Sequence, residues 1–187
     1  MGSFYDERKA VKGGGGNMGK EIRFYNALFP LWFLLFFPVT WLVVLPANFL
    51  IDSVVLLITL KVLKHRIGDC YKKIIIKAWI FGFLADFIGA GLMFLTQAYI
   101  FEYESKMGEW WFKYIGNPVA YNPFDNPYSF CYVALVIILV AVSIYFFNLK
   151  FSLKNLEIDI ASKKRIALSL AIFTAPYILL YPSKLLY

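Results

Sequence analysis

Apolar residues in this chain fall into long blocks separated by short charged stretches. A transmembrane helix needs about 20 consecutive apolar residues, and the block from Leu28 to Leu63 exceeds that length. It contains LPAN, Leu45 to Asn48. Proline lacks a backbone donor and asparagine favours turns, so the block divides there. The pattern predicts helices over 27–45, 47–64, 76–100, 128–148 and 165–182. The expected fold is an all-α integral membrane protein, a polytopic bundle of about five transmembrane helices. The first two also fit a re-entrant hairpin, because both ends of the pair lie on one side in either arrangement.

Composition supports lipid over water. The chain is 60% hydrophobic and 20% aromatic, against about 45–50% apolar residues in a typical soluble domain. Charge then orients the helices. All but three of the 19 basic residues lie before residue 24, between 61 and 77, or between 150 and 165. The loop 101–127 holds only Lys106 and Lys113 against Glu102, Glu104, Glu109 and Asp125. The positive-inside rule places the N-terminus in the cytoplasm and this loop outside. The net charge of +7 therefore reads as topology, and nucleic acid is excluded as a partner because no basic stripe forms.

The run Lys12-Gly-Gly-Gly-Gly-Asn17-Met18 reads as translated leader. Codons for Lys-Gly-Gly are purine-rich and can spell a bacterial ribosome-binding site ahead of Met18. On that reading residues 1–17 are set aside, 18–187 is a single transmembrane domain, and the location is a bacterial cytoplasmic membrane. A flexible glycine linker or tag is the alternative. Cys70, Cys131 and the single His65 have no metal-ligand spacing, so neither a metal nor a cofactor is expected.

The outer loop is crowded with aromatic rings, which favour the headgroup layer. Trp110, Trp111 and Tyr114 are the expected interface anchors, on a short helix over 106–115. Asn117-Pro118, Asn122-Pro123 and Asn126-Pro127 mark turns after it. On the cytoplasmic side Leu149, Leu153, Leu156 and Ile160 share a helical face, which predicts an amphipathic extension of the fourth helix.

Ionisable groups inside the apolar blocks need explaining. An Asp near the bilayer centre costs about 2.5–3.5 kcal/mol, and such residues face the bundle interior and pair. Asp86 lies within FGFLADFIGAG, and Asp52 lies in the second predicted helix with Asn48 one turn before it. Gly82, Asp86, Ala90 and Gln97 fall on one face of the third. Ala85 and Gly89 make a small-xxx-small pair, so Gly82, Ala85, Gly89 and Ala90 form the expected packing seam. Lys61 is the basic residue placed to reach Asp86. Pro176, in FTAPYILLY, frees a carbonyl near Ile172 and suggests a hinge.

NFLID at Asn48–Asp52 and ADFI at Ala85–Ile88 resemble the two aspartate motifs of lipoprotein signal peptidase, a small polytopic aspartyl protease. Where that family carries an arginine after its first aspartate, this chain has Ser53. The resemblance implies two catalytic aspartates close together. The predicted helix boundaries put Asp52 and Asp86 about 9 Å apart along the membrane normal. Three functions follow as expectations. The first is a non-enzymatic accessory subunit that associates with other membrane subunits or with itself in the lipid bilayer. The second is a transporter or channel component using Asp86 and Asp52. The third is an intramembrane aspartyl hydrolase.

Overall fold

The computed structural model describes residues 30–98 and 105–185, and every regular element among them is helical. In chain order these are α1 (Trp41–Val62), α2 (Ile67–Leu95), α3 (Lys106–Trp111), α4 (Asn117–Tyr121), α5 (Pro127–Phe147) and α6 (Ile160–Phe173). α1 packs on α2, α2 on α5, α5 on α6, and α6 closes back on α1. Three stretches are long and apolar enough to cross a membrane: Pro38–Val62, Ile67–Leu95 and Pro127–Ser152. α6 is shorter, with 14 residues.

The break expected at Pro46 does not occur, since α1 runs straight through it. A single missing donor is absorbed more readily in membrane helices than in soluble ones. The chain breaks instead at Phe37, which is extended (φ −96°, ψ 116°), the conformation a following proline favours. Before it, Leu31–Phe36 forms a 3₁₀ turn. The helix expected over 27–45 is therefore, in its described part, two 3₁₀ turns and the start of α1. The expected leader and the N-terminal orientation lie outside the described residues.

Two other boundaries move. α2 begins well before residue 76, taking Lys72, Lys73 and Lys77 into its first turns. The fifth expected helix starts early, at Ile160, because the Asp159 side chain caps it by accepting from Ser162 N–H at 2.8 Å. It then stops at Phe173, and Tyr177–Leu180 and Ser183–Leu185 continue as separate 3₁₀ turns.

The core is apolar side chains between the four long elements. Leu56, Leu60, Ile74, Met93, Val133, Val140, Ile166 and Leu170 are no more than 1% exposed. The predicted seam lies in this core: Ala85 is 0% and Ala90 1% exposed, and Gly82 and Gly89 are buried. Gly89 marks the closest approach, because a Cβ there would meet Val140 Cγ2 at 2.7 Å.

α3, a π turn (Phe112–Gly116) and α4 cap one end of the bundle. Gln97 holds this cap to the end of α2, donating from Nε2 to Gly116 O at 2.6 Å, and Trp111 Nε1 donates to Thr96 O at 3.2 Å. Trp110, Tyr114 and Tyr128 cluster with ring centroids 5.4–5.8 Å apart. Two of the three Asn-Pro pairs act as caps: Asn122 accepts from Phe124 N–H and Asn126 from Ser129 N–H. Asn117-Pro118 instead opens α4, where proline fits the first helical turn. At the opposite end the extension of α5 is a π turn (Asn148–Ser152) that stops at Leu153, short of the expected helix to Ile160.

Candidate functional site

α1 and α2 run antiparallel, and their contacts fix the register. Asn48 Nδ2 donates to Asp86 Oδ2 at 3.0 Å. One turn further along α1, Asp52 faces Gly82, where an added Cβ would sit 3.4 Å from Asp52 Oδ2. The missing side chain at Gly82 is what admits the carboxylate. The register sets Asp52 and Asp86 about 6 Å apart along the helix axes, one turn of about 1.5 Å per residue. That corrects the expected 9 Å, which rested on a helix starting at Pro46.

Asp86 has Asn48 as its partner and not Lys61. Lys61 is exposed and stands 13 residues beyond Asn48 on α1, about 20 Å along the axis. It belongs to the basic end of the bundle. Gln97 also leaves the group, since it is bonded into the cap.

Asn48, Asp52, Gly82, Asp86 and Ala90 line one cavity of about 480 Å³. Its remaining walls are apolar and aromatic, with Trp32, Phe83, Phe173 and Tyr177 among them, and no lysine or arginine lines it among the described residues. One wall is the segment where α6 gives way to irregular backbone, Phe173 to Leu179. Thr174 lines the cavity with Asp52, and its hydroxyl donates to Leu170 O at 2.8 Å. The carbonyl of Ile172, freed where the helix stops, accepts from the Tyr177 hydroxyl at 2.6 Å.

Two buried polar atoms here have no partner among the described residues: Asp86 Oδ1 and Trp32 Nε1. Asp52 is 5% and Trp32 6% exposed. Buried polar atoms are almost always satisfied, so these two, on residues that line one cavity, call for a partner.

Sequence reasoning did not find Trp32 or Thr174. Trp32 was placed in a helix that the chain does not form. Thr174 sits beside Pro176 in FTAP, the one local signal for a break at that point. Among the described residues no group of three His, Cys, Asp or Glu side chains is placed to hold a metal ion. No family model, no curated protein and no solved structure matches the chain.

Proposed function

We propose that the protein is a membrane-embedded transporter or channel component that binds a cation at Asp52 and Asp86, with its basic end in a bacterial cytoplasm. One observation carries the reading: α6 ends at Phe173, and its C-terminal end, with Thr174, lines the same cavity as Asp52 and Asp86. Irregular backbone at membrane depth is tolerated where it lines a cavity, and interrupted helices of this kind build ion and substrate sites in carriers. A helix C-terminus presents partial negative charge. Together with two carboxyl groups and no basic side chain on the walls among the described residues, it favours a positively charged occupant.

The test is flux through liposomes containing the full chain and an internal pH dye. With a protonophore present to carry the compensating proton efflux, addition of Na⁺, K⁺ or the permanently charged trimethyl(4-phenylbutyl)ammonium ion outside should produce a cation-dependent internal alkalinisation with at least one of them. Asp52→Asn and Asp86→Asn should abolish it while eluting from size exclusion as the parent does. Flux in neither parent nor variants, or flux surviving in both variants, refutes the proposal. An accessory subunit whose aspartates only pin helices makes the opposite forecast, with assembly lost in the variants and no flux to lose.

The hydrolase reading keeps one specific support, that both aspartates line one cavity. Ser53, which follows the first, exchanges a hydrogen bond with the Tyr71 hydroxyl at 3.0 Å. Peptide cleavage lost in either Asp→Asn variant is the result this reading requires.

A further inference from the structure

We propose that the cation is an organic ammonium ion with an apolar body, its head on Asp52 and Asp86 and its tail along the aromatic walls; this rests on the cation-binding reading above. Size is the first argument. The cavity measures about 480 Å³. That volume falls within the drug-sized range of about 300–1,000 Å³.

Polarity is the second. A hard inorganic cation such as Ca²⁺ takes about 6–8 oxygen ligands around it. Here the polar groups are gathered in one place, Asn48, Asp52, Asp86 and Thr174, and most of the rest of the lining is apolar. Trp32, Phe83, Phe173 and Tyr177 are on the lining, and aromatic rings beside carboxylates are the chemistry that recognises ammonium groups.

The third argument is the unsatisfied acceptor. Asp86 Oδ2 takes the amide hydrogen of Asn48, while Oδ1 has no donor among the described residues. Oδ1 is itself buried, so the carboxyl group must turn to present it to the cavity. An ammonium head brings up to three donors. It would supply Oδ1 and still reach Asp52 one turn away. A neutral alcohol of the same shape offers one hydrogen and no charge.

The experiment compares tritiated 4-phenylbutylamine with 4-phenylbutan-1-ol, which match in heavy-atom count. Binding is measured to the full chain in nanodiscs, with empty nanodiscs subtracted. The amine should bind at least about tenfold tighter, a difference worth about 1.4 kcal/mol. Asp52→Asn and Asp86→Asn should reduce the amine to the level of the alcohol, and Phe83→Leu, which leaves both carboxylates in place, should weaken the amine several-fold. The amine–alcohol comparison needs no variant, so it stands even where a variant fails to fold. Equal binding of the pair overturns the inference. If the amine fails to bind while Na⁺ or K⁺ drives flux, the inference falls and the cation site stands. If no amine binds and no cation drives flux, both fall.

Discussion

Replacing Gly89 by alanine tests the packing that brings α2, α5 and the cavity wall together. The new Cβ would lie 2.7 Å from Val140 Cγ2 and 3.6 Å from Leu179 Cδ1. Val140 is 0% exposed, and a β-branched side chain in a helix has one strongly preferred rotamer, so it has little room to yield. Overpacking of this kind costs about 1–3 kcal/mol. Alanine returns about 0.8–1.0 kcal/mol of helix propensity over glycine. The net lies between about zero and 2 kcal/mol of destabilisation. Gly91 is the internal control on the same helix, because nothing lies within 4 Å of a Cβ there. Gly91→Ala should keep only the propensity gain, so the two variants should differ by about 1–3 kcal/mol. Adding Val140→Ala removes the clashing methyl and should recover most of the steric loss in a double-mutant cycle. Unfolding of the full chain in detergent, followed by far-UV circular dichroism, gives the numbers. Equal stability of the two glycine variants would sink the claim that α2 and α5 touch at Gly89.

Two further outcomes follow from the helix boundaries. Pro46→Ala restores a backbone donor inside α1 and should raise stability by about 1 kcal/mol, a fraction of the roughly 3 kcal/mol by which proline disfavours a helix interior. A loss would instead place a turn there. Asp159 is held below its usual value near 3.8 by the Ser162 backbone hydrogen bond. A depressed carboxyl stabilises the fold above that value and loses its contribution as pH falls through the folded-state value. Asp159→Ala should therefore melt below the parent at pH 7, with the gap closing under acid. A gap that stays constant or widens from pH 7 to pH 3 contradicts the cap.

The pairing of the site was legible, and its surroundings were not. Asn48 with Asp52 and Gly82 with Asp86 follow from a four-residue step, a local property that survives errors in helix boundaries. The seam of Gly82, Ala85, Gly89 and Ala90 was legible for the same reason. The partner of Asp86 was missed because Lys61 is the obvious opposite charge, while antiparallel register decides the contact and puts Asn48 there. The break was assigned to the wrong proline. Pro38 and Pro46 are locally similar, and the chain bends at the one preceded by an extended residue. Trp32 and Thr174 reach the cavity through contacts between distant parts of the chain, which no single window of sequence encodes.

The order of the partners along the chain gives the site a property of its own. Asn48 precedes Asp86 by 38 residues on the neighbouring helix, so the α1–α2 pair by itself contains that carboxyl group's partner. Thr174, which shares the cavity lining with Asp52, comes only after α6, and the segment that follows that helix supplies one wall of the cavity. The α1–α2 pair alone therefore lacks one side of the cavity, which is complete only where α6 packs back on α1.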